Sequence, residues 1–153
     1  MQIKISFIIR NIAYSKKADQ LHLQYKLNKP LNDVFLCLSV ADNFVKVHPI
    51  IYAMKPLPNG AYLVYEKLKI AFINLDFTYP CTIESDAIEK AITMKALVKK
   101  MVHIQIEFKL STENDKTVVN EFITSKSLLP VAFVMRKVFK TQHQKLFQNI
   151  EKS

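Results

Sequence analysis

The sequence predicts an α+β fold: a curved antiparallel sheet of about six to seven strands wraps on one long C-terminal helix, with two short helices after the first strand. Three observations carry the prediction. Apolar and polar residues alternate through most of the chain at the two-residue period of half-buried strands. Turn residues, above all Pro58-Asn59-Gly60 and Asn114-Asp115, punctuate those runs. From about Pro130 to Ile150 the period becomes that of an amphipathic helix. A helix that follows a series of strands buries its apolar stripe on the sheet, and strong curvature leaves a hollow between the two layers.

Residues 1–17 stand apart from this pattern. Their Ile3, Ile5, Phe7, Ile9 alternation suits an extra edge strand, and an N-terminal extension fits equally well; the main domain is then 18–153. In Gln20 to Asn28, Leu21, Leu23, Tyr25 and Leu27 share one face and His22, Gln24 and Lys26 the other, as in a half-buried strand. Pro30 suits the first turn of a short helix whose apolar side is Val34, Phe35 and Leu38. A second short helix covers Ala41 to Val47 and stops at His48-Pro49, because the residue before proline disfavours the helical region.

Ile50 to Met54 and Ala61 to Leu68 form a hairpin around Asn59-Gly60, which supplies the positive φ angles of a tight turn. Ile70 to Tyr79 is the next strand, interrupted by Pro80, and Thr82 to Asp86 and Lys90 to Val98 read as a further hairpin. Val102 to Leu110 alternates most clearly, with Val102, Ile104, Ile106, Phe108 and Leu110 on one face. In Thr117 to Ser125 the register is open: Glu121 shares a side with Val119 and Ile123, but Val118 and Phe122 make the opposite side equally apolar. On the terminal helix Val131, Met135, Val138, Phe139, Leu146 and Ile150 fall within one arc. Gln142 is the one polar intrusion in that arc, and His143 borders it.

Composition excludes several function classes. At 153 residues with half of them hydrophobic, the chain suits one domain with a full core. No apolar run approaches the ~20 residues of a membrane span, and the N-terminus lacks a secretory pattern, so a cytoplasmic protein is expected. The net charge of +9 comes almost entirely from scattered lysines, with Arg10 and Arg136 the only arginines. Specific nucleic-acid recognition, which favours arginine's planar fork, is not expected; a lysine-rich solvated surface with weak peripheral attraction to anionic membranes is. Gly60 is the only glycine, which excludes phosphate-cradling loops and dinucleotide fingerprints. Cys37 and Cys81 fit no paired spacing, and His22, His48, His103 and His143 fit no metal motif, so neither metal nor cofactor is expected.

The order of elements resembles the helix-grip fold of the START-like (SRPBCC) superfamily, which includes the birch pollen allergen family, polyketide cyclases and aromatases, and lipid-transfer domains. The resemblance runs over roughly Asp19 to Lys152 and is strongest at Lys29-Pro30-Leu31-Asn32-Asp33-Val34-Phe35. Asn43-Phe44, His48-Pro49 and the hairpin glycine after Leu57-Pro58 add to it, whereas the family's glycine-rich loop between its second and third strands is missing. The resemblance implies a curved sheet gripping the terminal helix around a cavity for hydrophobic ligands.

Apolar pockets combine hydrophobic walls with a few orienting polar groups. Candidate walls are Phe35 and Phe44 on the short helices, and Tyr52, Met54, Tyr65, Phe77, Tyr79 and Met94 on successive strands. Ile104, Ile106 and Phe108 follow on the clearest strand, and Met135 and Phe139 on the terminal helix. Gln142, His48 and the tyrosine hydroxyls are candidate orienting groups. Ordinary core packing is the competing account of every apolar residue among them. No catalytic set is recognisable. The expected function is binding or transport of a lipid-like or aromatic small molecule. The alternatives are a cyclase or dehydratase-type enzyme in which His48 or Glu121 moves a proton, and a protein- or membrane-interaction module using the lysine-rich surface.

Overall fold

The computed structural model describes residues 18–153; the expectation of an extension or edge strand over residues 1–17 lies outside them. Strand β1 (Asp19–Leu27) leads into helices α1 (Leu31–Ser39) and α2 (Ala41–Val47). Strands β2 (Ile51–Pro56), β3 (Tyr62–Ile70), β4 (Ile73–Asp86), β5 (Ala91–Val98), β6 (Val102–Glu113) and β7 (Lys116–Ser127) follow, then helix α3 (Ala132–Lys152). The seven strands form one antiparallel sheet in the order β1-β7-β6-β5-β4-β3-β2. The expected curved sheet, paired short helices and long terminal helix are all present.

The second short helix stops where the sequence predicts. Pro30 sits just before α1 rather than inside its first turn, and its carbonyl accepts the amides of Asp33 and Val34. The α2 helix ends at His48, whose extended backbone (φ −72, ψ 131) is what a following proline imposes.

Two strand readings need correction. Pro80 does not interrupt its strand: β4 runs from Ile73 to Asp86 straight through it. Pairing to β3 continues across Leu63↔Pro80, while pairing to β5 begins only at Cys81↔Ala96. The missing proline N–H therefore falls where one neighbouring strand has already left. In β2, a bulge between Ile51 and Ala53 turns both Ile51 and Met54 inward and leaves Tyr52 outside.

The core is packed solid at one end only. There, Val34, Phe35 and Leu38 of α1, Phe44 and Val47 of α2, and Leu146, Phe147 and Ile150 of α3 meet Phe108, Leu110 and Val119 of the sheet. Tyr25 stacks on Phe147 with ring centroids 4.1 Å apart, and Phe108 meets the same ring edge-on at 6.2 Å. Polar ties close this end. Glu151 accepts the backbone and side-chain N–H groups of Asn28, and Asn149 donates to the Val47 carbonyl at 2.8 Å. The first half of α3 has no such packing beneath it, and its Met135, Val138 and Phe139 are only half-buried.

Candidate functional site

The inward faces of β2 to β6 and the first half of α3 enclose a cavity of about 330 Å³, within the ~300–1,000 Å³ range of small-molecule sites. Alternation along each strand builds the wall: Val64, Leu68 and Ile70 on β3, Phe77, Tyr79 and Cys81 on β4, Met94, Ala96 and Val98 on β5, Ile104 and Ile106 on β6. Met135, Val138, Phe139 and Gln142 of α3 form the opposite side. The short side chains of Ala96, Val98 and Val138 help to leave the space between the layers unfilled. The cavity opens at the end where Ile70, Lys99, Met101, Leu129 and Val134 gather.

Three polar arrangements border this apolar space. Glu66 and Tyr79 are diagonal neighbours on the inner face of β3 and β4, and the Tyr79 hydroxyl donates to Glu66 Oε2 at 2.5 Å. Burial pushes the Glu66 carboxyl up, opposed by the Tyr79 hydrogen bond and the charge of His143. The Tyr79 hydroxyl is raised well above its ordinary value by burial and then by Glu66.

His48 occupies the corner between α2 and β2. Its Nδ1 accepts the amides of Ile50 at 3.3 Å and Ile51 at 3.0 Å, so the proton of the neutral ring is on Nε2. Burial, reinforced by the charge of His143, holds its pKa well below the usual histidine value. His48 is thus a neutral N–H donor in the cavity wall. It does close the corner, as a structural histidine would, and it lines the cavity as well.

The third arrangement settles the open register of β7. Glu121 faces inward, fully buried, and its Oε1 is hydrogen-bonded to His143 Nδ1 of α3. The second oxygen of Glu121, Oε2, has no hydrogen-bond partner among the described residues. His143 also lines the cavity, with its ring centroid 6.1 Å from that of His48. Cys81 is a free thiol pushed up to about 11 by burial, a protonated wall group rather than a nucleophile. No cluster of three or more metal-ligating side chains exists among the described residues.

Of the candidates named from sequence, Phe44, His48, Met54, Phe77, Tyr79, Met94, Ile104, Ile106, Met135, Phe139 and Gln142 come together around this cavity. Four do not. Phe35 and Phe108 belong to the solid end of the core, where the helices cover them. Tyr52 and Tyr65 lie on the outer face of the sheet, tilted against each other with centroids 6.1 Å apart, beside Lys67 and Lys55 respectively. Glu66 is the polar wall residue that sequence reasoning missed, because a carboxylate in an alternating strand reads as a surface position.

No family model matches the chain, and no curated protein matches its sequence. Solved structures do match its shape. Ara h 8.0201 superposes with a TM-score of 0.69 at 12% identity, over 89% of this chain and 97% of that one. The START superfamily protein from Mycobacterium smegmatis gives 0.64 at 12% identity, over 87% and 94%. The di-domain ARO/CYC StfQ from the steffimycin biosynthetic pathway gives 0.70 at 11% identity, over 94% of this chain but 52% of its own. At these identities the likeness speaks for architecture alone: the chain has the START-like helix-grip fold.

Proposed function

We propose that this protein binds or carries a hydrophobic small molecule, lipid-like or aromatic, with one hydrogen-bonding end. The observation that carries the reading is the cavity itself, whose walls are apolar except where His48, Glu66, Tyr79, Gln142 and His143 border it and Lys99 stands at its mouth. Apolar walls supply affinity without direction, and a few fixed polar groups supply orientation. The His48 N–H suits an acceptor such as a carbonyl or carboxyl oxygen. Native mass spectrometry of the purified protein, with displacement of a fluorescent lipid, tests the reading. A co-purifying small molecule or displacement at micromolar protein is expected; neither being seen would refute it.

A second reading is a cyclase or dehydratase-type enzyme, and the Glu121–His143 pair is what favours it. With the ring neutral and its Nδ1–H donated to Glu121, Nε2 is free to take a proton from a bound chain, and the carboxylate then stabilises the imidazolium that forms. Loss of product from a poly-β-ketone thioester in His143→Gln, with ligand uptake intact, is the expected outcome for an enzyme. Unchanged turnover removes that assignment.

A further inference from the structure

We infer that the rim of the cavity docks on an anionic lipid bilayer. Soluble surfaces do not ordinarily present large apolar side chains clustered at one end, yet this one does. Phe72, at the tip of the β3–β4 hairpin, is 98% exposed, and Phe133, in the first turn of α3, is 81% exposed. Leu128 at 51% and Met101 at 39% join them, from the segment before α3 and the β5–β6 turn. The sheet register brings these segments to the same end: Val98 pairs with Val102, Val102 with Ser127, and Ile70 with Ile73. Ile70, Lys99, Met101, Leu129 and Val134, which belong to or adjoin them, are also cavity-lining, so the apolar tips surround the opening.

Charge decides what covers them. Lys69, Lys99, Lys100, Lys126 and Lys137 are exposed at this end and make no ion pair among the described residues. The nearest carboxylates are already occupied or opposed: Asp19 pairs with Arg136 at 2.7 Å, and Asp76 lies across the ladder from Lys67. Carboxylates collect instead at the far end, as Glu84, Asp86, Glu89, Glu113, Asp115 and Glu151. Lys26, Lys29, Lys90, Lys109, Lys116 and Lys152 share that far end with them, so charge there is close to balanced, and uncompensated cations and protruding phenylalanines coincide at the rim. The unpaired cations of the described rim are all lysines, compact point charges suited to diffuse headgroup fields. Apolar tips buried at the headgroup boundary and lysines within reach of anionic lipid are the two components of peripheral membrane binding.

The test is flotation of the full-length protein with phosphatidylcholine vesicles, with and without roughly 30% phosphatidylserine. Binding is expected only with the anionic lipid, falling as salt rises. The double variant Phe72→Ser/Phe133→Ser alters fully presented side chains and is expected to abolish binding while leaving the melting temperature unchanged. Lys99→Ala/Lys100→Ala is expected to weaken binding roughly 25-fold, at about five-fold per lysine. Lys46→Ala/Lys95→Ala removes the same charge away from the rim and is expected to have a much smaller effect. No vesicle binding overturns the inference, as does an equal loss in the two lysine pairs. A concentration-dependent dimer that Phe72→Ser/Phe133→Ser dissolves would reassign the rim to self-association and also overturn it. Cavity occupancy is followed in parallel by native mass spectrometry, so a failed rim with a retained ligand is distinguishable from an empty cavity.

Discussion

Replacing Ala96 by leucine puts three more carbons into the cavity from the centre of its wall. Ala96 sits on β5 between Cys81 and Ile104 of the flanking strands, and its side chain lines the cavity. If the space is hollow, three added groups at about 0.8 kcal/mol each gain roughly 2.4 kcal/mol of burial, less about 0.5–1 kcal/mol for fixing the side chain. The net gain of about 1.5 kcal/mol corresponds to a rise of roughly 5 °C in melting temperature for a domain of this size. Ligand capacity is expected to fall as stability rises. Thermal melts of wild type and variant, paired with displacement of a fluorescent lipid, read both quantities. If the interior is already filled, overpacking instead costs about 1–3 kcal/mol. A lower melting temperature with unchanged ligand uptake would refute the hollow and everything built on it.

Other outcomes follow from the same geometry. Glu121→Ala leaves the buried His143 Nδ1 without its partner and is expected to cost about 1–3 kcal/mol in urea unfolding, with Glu121→Gln costing distinctly less; equal small losses would show that the pair contributes little. His48 is held below its unfolded pKa of about 6.5, so the unfolded chain takes up its proton first as pH falls. Its contribution is therefore a stability that is full above about pH 6.5 and declines below it, by at most about 1.4 kcal/mol per pH unit. Glu66, raised from its ordinary value, works in the opposite sense at more acid pH. Urea melts from pH 7.5 to 5.5 in wild type and His48→Asn isolate the histidine, since asparagine keeps an acceptor but takes up no proton; identical slopes would contradict its assignment. Finally, Phe139→Ala is expected to weaken ligand displacement, whereas Tyr52→Ser, on the outer face, is expected to leave it unchanged; a fall in the second would place the ligand elsewhere.

The architecture was legible because it depends on period and punctuation. Alternation from Val102 to Leu110 and the change of period after Pro130 survive in the structure almost residue for residue. Errors arose where a local irregularity or a partner across the sheet decides the outcome. Tyr52 and Met54 share a parity in sequence, and only the bulge at β2 separates them. Tyr65 was named as a wall residue for its aromatic ring, yet its neighbour Glu66 takes the inward side; the Tyr79 hydroxyl, distant in sequence, is what makes a carboxylate acceptable inside. Glu121 is similar. Its strand is apolar on both faces, and only His143, 22 residues further on, fixes the side that the carboxylate takes. Phe35 and Phe108 were named as cavity walls and instead lie in the packed core, because sequence does not distinguish a residue packed under a helix from one facing empty space.

The long helix is fastened unevenly. Its last turns are wedged among aromatic rings and tied to the first strand and the second short helix, whereas its first turns rest over empty space, restrained chiefly by the grip of Arg136 on Asp19 and the Gln20 carbonyl. Such a rod behaves as a lever with a fixed fulcrum. Amide exchange should run fastest in the turns near Met135 and slowest near Phe147, and lifting that one end would give the proposed guest a way in while the rest of the protein stays folded.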